Sequence, residues 1–160
     1  WNTLCASEAL AAHEETYPSR ADDYGAWFRD FLELGASVTG SDYAKAHHIR
    51  SRFNGALAGV FRDVDVIACP AMPTLPMPIT KEILYGGMRS GRSDFMRFTG
   101  PFDFSGSPSI NLPCGLSEEG LPLSLQLVGK HLSEDLLCRA GHAYETATEW
   151  HHLHPEIEQR

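Results

Sequence analysis

The sequence has no apolar run near the roughly 18 residues that a membrane span requires, so no membrane partner is expected. Its longest apolar stretch is the short one in Val64–Pro70. No basic segment leads into an apolar core with a cleavage site, so no signal peptide is read. A first residue of Trp1 in place of Met is expected of a chain that has been processed, cleaved or excised. Positive charge is scarce: 13 Lys and Arg stand against 21 Asp and Glu, a formal net charge of −8. Such a surface repels phosphate backbones, so nucleic acid is not an expected partner. The nearest basic group, Arg89, Arg92 and Arg97, is interrupted by Asp94.

Chemical motifs are sparse as well. Cys5, Cys69, Cys114 and Cys138 are widely spaced and form no CxxC. That usage reads as reduced, buried thiols in a cytoplasmic protein, since disulfide frameworks belong mainly to small secreted domains. No GxSxG elbow occurs, and Ser105-Gly106-Ser107 before Pro108 reads as a turn with no base beside it. Cys69 ends an apolar run and reads as buried and inert, whereas Cys114 in a Pro-Cys-Gly turn reads as the most exposed thiol. HExxH is absent, and neither His47-His48 nor His151-His152-x-His154 comes with a ligand set, so no metal site is assigned. His48 and His151 read as solvated helix-face residues. Asp63 and Asp65, or Glu118 and Glu119, are neighbours that face water and do not meet across a cleft.

What is present is an ordinary globular composition, 160 residues with 42% hydrophobic and 21% charged, enough for one domain spanning 1–160. A first helix is expected over Asn2–His13, ended by Tyr17-Pro18-Ser19. A second begins near Asp23, with Tyr24, Trp27, Phe28, Phe31 and Leu34 on its inner face. Gly35 then stands where a left-handed C-cap would fall. Thr39-Gly40-Ser41-Asp42 fits a capping box. It opens a long helix with Ala46, Ile49, Phe53, Leu57 and Val60 on its stripe, Lys45, His48, Arg50 and Arg52 largely off it, and an end near Phe61–Arg62.

Val64–Cys69 then reads as a buried strand. Pro70, Pro73, Pro76 and Pro78 mark a stiff extended loop, and Gly86-Gly87, Ser90 and Gly91 a flexible excursion. Ser93–Phe104 is expected to be a short helix with Pro101 in its first turn or at a kink. Its Phe95, Phe98, Phe102 and Phe104 are either core or the wall of an apolar substrate pocket. A short strand Ser109–Leu112, a turn at Ser117–Gly120 and a half-buried strand Pro122–Gly129, alternating at Leu121, Leu123, Leu125 and Leu127, follow. Ser133 is expected to cap a last helix with Glu134 and Asp135 in its first turn, a Leu132–Leu137 staple, and Leu136, Ala140, Tyr144 and Ala147 facing inward. His151–Arg160 reads as a polar tail. Helices around intermittent strands give an α/β protein. About three strands is few for such a layer, which implies a sheet completed by residues this chain lacks.

Taken together, these stretches resemble the amidase-signature family. Phe98-Thr99-Gly100-Pro101-Phe102-Asp103-Phe104-Ser105-Gly106-Ser107-Pro108-Ser109-Ile110-Asn111-Leu112-Pro113-Cys114-Gly115 is similar to F-T-x-P-F-N-x-x-G-x-P-A-x-S-x-P-x-G. Gly120-Leu121-Pro122-Leu123-Ser124-Leu125-Gln126-Leu127-Val128-Gly129 is similar to G-L-P-x-G-x-Q-x-x-G. Asp65–Pro73 resembles the family's D-x-x-x-x-P-x-x-P strand and loop. Tyr43-Ala44-x-Ala46 with Arg50 resembles the helix before it, and Ala140-x-x-Ala143-Tyr144-Glu145 with Trp150 the closing helix. Asp103 departs from the usual Asn, Ser109 from Ala and Ser124 from Gly.

The resemblance implies the C-terminal part of a large mixed β-sheet wrapped by helices. It also implies hydrolysis of carboxamide bonds by a Ser–cis-Ser–Lys triad without a cofactor. Lys45, Lys81 and Lys130 lack the triad's context, so no catalytic residue is carried over and the chain alone is expected to be inactive. The family likeness makes Met72, Phe98, Thr99, Phe102 and Asp103 candidates for one wall of the substrate cavity. The expected partners are a small-molecule amide and the N-terminal part of the same enzyme, with a homo-oligomer left open. Two other readings stand beside this one: a non-catalytic binding or interaction domain derived from the same fold, and a self-contained hydrolase using Ser105 or Cys114.

Overall fold

The computed structural model describes residues 1–76, 78 and 93–155. Gly86, Gly87, Ser90 and Gly91 of the expected excursion, with Lys81, Arg89 and Arg92, lie outside the described residues. The chain forms two compact units, one built from residues 1–56 and the other from 57–76 with 94–155.

In the first unit, α1 (Asn2–Ala12) packs against α2 (Ala26–Ser37). A short 3-10 turn, Ala21–Asp23, precedes α2, which therefore starts later than Asp23. Leu4, Ala6 and Leu32 are the buried side chains of this pair. Gly35 is not a C-cap. It lies within α2, where a Cβ would come 2.2 Å from the Ala6 carbonyl oxygen, so only glycine lets the two helices approach there. The apolar face turns accordingly: Leu32 and Gly35 are buried, whereas Trp27 and Leu34 are exposed. Tyr24, Phe28 and His13 form an aromatic cluster in which the Tyr24 hydroxyl meets His13 Nδ1 at 3.1 Å.

Helix α3 (Gly40–Val60) opens as its sequence predicts. The Asp42 N–H donates to Thr39 Oγ1 at 3.1 Å, and the Thr39 hydroxyl donates to the Asp42 carboxylate at 2.6 Å. That hydroxyl holds the Asp42 carboxyl below the ordinary aspartate range, and Lys45 adds to the effect. The covered stripe runs through Tyr43, Ala46, His47, Arg50, Phe53 and Leu57. Ile49 is 60% exposed and Val60 is exposed too, so the expected stripe is rotated and Arg50 lies on it.

The second unit is a three-stranded antiparallel sheet in the order β1-β3-β2. Its strands are β1 (Val66–Pro70), β2 (Ser109–Leu116) and β3 (Pro122–Gly129). β1 is only partly covered. β2 extends past Leu112: Pro113 still pairs with Ser124, and Cys114 is the extra residue at the irregularity between Pro113 and Gly115. Ser117 Oγ accepts the Glu119 and Leu121 N–H groups and closes the β2–β3 turn, where Gly120 takes φ 77°.

Ser93–Phe104 is not one helix. A 3-10 turn, Ser93–Met96, is followed by α4 (Gly100–Ser105), with Pro101 in the first turn of α4 and Gly106 at φ 76° closing it.

The leucine pattern of β3 reads the burial backwards. Gln126 and Val128 are almost wholly buried, while Leu123 is exposed and Leu125 and Leu127 are half-buried. As the central strand, β3 is covered on both faces. Leu125 and Leu127 pair with Leu112 and Ile110 on the face under α5 (Glu134–Ala147). There Gly141 leaves no room for a Cβ, which would fall 2.9 Å from Ile110 Cδ1. Gln126 and Val128 face the other way. In α5, Leu137 and Gly141 are the deepest residues and Ala147 is exposed.

Ser133 sits at the N-cap, but its hydroxyl donates to the Lys130 carbonyl at 2.7 Å in place of capping an N–H. Leu132 makes no staple: it is 90% exposed at φ 62°. The start of the tail is a 3-10 turn, Trp150–His152, lying against β2.

Candidate functional site

The segment carrying most of the candidate wall is tied to the sheet by one buried amide. Gln126 Nε2 donates to the Phe98 carbonyl at 2.7 Å and to Cys69 Sγ at 3.3 Å. The same side chain therefore links the start of the α4 turn to both β3 and β1. Two signals mark Gln126 in the sequence, a polar residue between Leu125 and Leu127 in an apolar strand and a match to the Gln of G-L-P-x-G-x-Q-x-x-G, and neither names its partners.

Phe98, Thr99, Phe102 and Asp103 sit together around the first turn of α4. Phe98, Thr99 and Phe102 are half-buried and Asp103 is exposed. The Thr99 carbonyl accepts the Phe102 and Asp103 N–H groups, both at 3.0 Å, and starts the helix. The Phe102 carbonyl accepts the Gly106 N–H at 2.9 Å and the Ser107 N–H at 3.1 Å, which fixes the turn that follows. Met72 lies apart in sequence, on the loop leaving β1, and is 44% exposed. Thr99, Phe102 and Asp103 are thus brought into one local frame by the turn's own hydrogen bonds, and Phe98 is held beside them by Gln126.

The Ser105 hydroxyl is engaged in the turn that follows α4. The residue is buried, and its hydroxyl lies 2.8 Å from Ser107 Oγ and donates to the Phe102 carbonyl at 3.0 Å. His131 Nε2 meets the Ser105 carbonyl at 3.1 Å and not its hydroxyl. Cys138, not Cys114, is the exposed thiol, because it lies on the outer side of α5. Cys5, Cys69 and Cys114 are only partly covered, so the expectation of four buried thiols is corrected; all four are free of disulfides.

His48 is exposed as expected. His151 is half-buried, lies tilted at 44° against His152 with ring centroids 3.8 Å apart, and has a buried Nδ1 without a hydrogen-bond partner among the described residues. Asp65 pairs with Lys130 at 3.6 Å, a surface contact. Among the described residues, no three His, Cys, Asp or Glu side chains converge as a metal site would require.

A hollow of about 320 Å³, open to solvent, lies in the first unit between α1 and the start of α3. Its polar groups are already paired: the Tyr43 hydroxyl donates to Glu8 Oε1 at 3.2 Å, and Thr39 is committed to its cap. Burial raises the Tyr43 phenol above its ordinary value, and the Glu8 carboxylate adds to that. Among the described residues, no nucleophile with an adjacent base lines this hollow.

Comparison with known proteins identifies the class. The Amidase family model matches residues 3–138, and the chain belongs to that family, as its sequence resemblance implies. It is 36% identical over 158 residues to the putative amidase AmiD of Mycobacterium tuberculosis, covering 95% of this chain and 32% of that protein. It is 36% identical over 154 residues to an amidase of Pseudomonas putida, covering 94% of this chain and 33% of that one. Its structure superposes on a crystal structure of an amidase with a TM-score of 0.80 and 26% identity, over 92% of this chain and 34% of the other. The fold is likewise that of a 6-aminohexanoate cyclic dimer hydrolase, at a TM-score of 0.78 and 24% identity. The chain thus spans about a third of the length of the relatives it matches.

Among the described residues, no helix is long and apolar enough to cross a membrane. The α/β expectation holds, and the chain forms part of the amidase-signature fold.

Proposed function

We propose that these 160 residues act as one C-terminal part of an amidase that hydrolyses a carboxamide C–N bond, with the nucleophile supplied by residues outside this chain. The observation that carries the reading is the pairing of near-complete coverage here with about one-third coverage of the amidases it matches. In the parent enzyme a serine attacks the amide carbonyl, a neighbouring serine and lysine manage its proton, and backbone N–H groups hold the oxyanion. This part contributes sheet structure and one wall of the substrate cavity. Met72, Phe98, Thr99, Phe102 and Asp103 form that wall: the phenylalanines offer apolar surface, and Asp103 offers a charge near the substrate. The substrate is a small amide, no cofactor takes part, and the wide cysteine spacing supports a cytoplasmic setting.

The test is amide hydrolysis by the isolated chain and by a complex with the remainder of an amidase. Turnover only in the complex supports the reading. Robust turnover by the isolated chain overturns it. Within an active complex, Phe98→Ala and Phe102→Ala are expected to raise KM with a smaller effect on kcat.

A further inference from the structure

We infer that His131 is a positioning residue for the substrate wall: it latches the C-terminal end of α4 to the strained turn after β3 and so sets where Phe102 and Asp103 stand. The latch rests on the proposed function above and names what holds its wall in place. Helix α4 has only six residues, too few to keep its shape without tertiary support. Its leading side is tied down through Phe98, whose carbonyl takes the Gln126 amide. Phe102 and Asp103 lie beyond that tie, on the side that ends at Ser105.

His131 supplies the second tie. Its Nε2 lies 3.1 Å from the Ser105 carbonyl oxygen, 26 residues away in sequence. A carbonyl oxygen only accepts, so Nε2 carries the proton and donates. The acceptor is one that α4 itself leaves open, since the last carbonyls of a helix have no partner within it.

The turn that presents His131 is strained. The Ser133 N–H donates to the Lys130 carbonyl at 3.2 Å, and the Ser133 hydroxyl donates to the same oxygen at 2.7 Å. Leu132 takes φ 62° at the third position of this turn, a place that turns of this shape reserve for glycine or asparagine. The leucine gains nothing there from burial, because it is 90% exposed. Such a residue persists where the contacts around it over-determine its backbone. Lys130 pairs with Asp65 at 3.6 Å, and Ser133 Oγ packs on Gly129, where an added Cβ would collide with it. His131 is the member of the turn that reaches back to α4. Neither His131 nor Leu132 falls within the motifs that carry the family likeness, which stop at Gly129 and resume at Ala140.

A latch and a merely structural bond differ in what they move. The 160-residue chain is assembled with the tagged remainder of the Pseudomonas putida amidase, and hydrolysis of small carboxamides from acetamide to benzamide is followed by released ammonia. His131→Ala is expected to raise KM about three- to tenfold while kcat stays within about twofold. His131→Gln puts an amide N–H near the place of Nε2 and is expected to return KM to within about twofold of wild type. Gly35→Ala loosens the α1–α2 pair without touching α4. It is expected to lower stability and leave KM in place.

Two readouts on the isolated chain need no turnover. In His131→Ala, the Phe102, Asp103, Gly106 and Ser107 amides, which bond to the Thr99 and Phe102 carbonyls, are expected to exchange at least about fivefold faster while the β3 amides keep their rates. In wild type, imidazole nitrogen shifts are expected to place the proton of the neutral ring on Nε2.

A neutral ring protonated on Nδ1 alone overturns the latch without any variant. So does exchange in His131→Ala that is unchanged at α4 or raised equally in α4 and β3. An equal rise of KM in Gly35→Ala and His131→Ala, or no rescue by His131→Gln, also overturns it. If Phe98→Ala and Phe102→Ala raise KM and His131→Ala does not, the latch falls and the wall stands. If none of the three raises KM, the wall and the latch fall together. Absence of turnover by the wild-type complex across the carboxamides overturns the proposed function and, with it, the role of the latch.

Discussion

Gln126 and Phe98 are joined by a 2.7 Å hydrogen bond from a side-chain amide buried in the central strand to a backbone carbonyl 28 residues earlier. A buried amide that keeps its partners costs little, whereas a buried carbonyl that loses one carries its full desolvation penalty. The bond therefore does structural work at the foot of the proposed cavity wall. Gln126→Ala is expected to lower unfolding free energy by about 1–3 kcal/mol. Urea denaturation of the isolated chain measures it, and a change within experimental error would show that the Phe98 carbonyl finds another partner.

Two glycines in neighbouring helices should respond in opposite directions to the same added methyl. Gly35→Ala places a Cβ 2.2 Å from the Ala6 carbonyl oxygen and must push α1 and α2 apart, at a cost of about 1–3 kcal/mol. Gly55→Ala, in α3 with nothing among the described residues within 4 Å of the new atom, should stabilise by about 0.4–1 kcal/mol through the unfolded chain. Paired thermal melts give the comparison, and two changes of the same sign would contradict the close helix approach.

The cap of α3 makes a prediction about pH. Asp42 has its carboxyl held down chiefly by the Thr39 hydroxyl, so the folded chain favours the ionised form. The sign follows from linkage: the contribution is present above the unfolded aspartate pKa and is lost as pH falls through the lower, folded value. In Thr39→Ala, NMR titration should move Asp42 back up toward an ordinary aspartate, and the acid side of the stability profile should flatten. An unmoved Asp42 would assign the depression to Lys45.

Leu132 holds a left-handed backbone with its side chain in water. The conformation costs a leucine on the order of 1–2 kcal/mol, and asparagine adopts it more readily. Leu132→Asn should therefore raise the melting temperature. A fall would mean that the leucine is covered by contacts outside the described residues.

Local chemistry was legible in the sequence because it acts over three or four residues. The Thr39–Asp42 box, the Ser117–Gly120 turn and the acidic first turn of α5 all stand where the residues indicated. The ordered motifs from Asp65 to Gly129 were enough to recognise the family. The choice of buried face was not legible. Gly35 carries the signature of a helix end, yet it is consumed by a crossing with Ala6. The Leu121–Leu127 alternation marks one face of β3, but segments on both sides decide that Gln126 and Val128 are the deepest. The stripe of α3 likewise turns so that Ile49 faces out and Arg50 is partly covered.

By itself, then, the sequence determined the order of elements, the cap of α3, the turn at Ser117–Gly120 and membership of the amidase family, because hydrogen bonds between near neighbours and the spacing of motifs are written along the chain. Only the tertiary structure decided which faces are buried and that Gln126 ties Phe98 and Cys69 to the sheet. Those outcomes depend on pairings between residues 28 and 57 positions apart, where burial on two sides at once overrides the period of any single strand or helix.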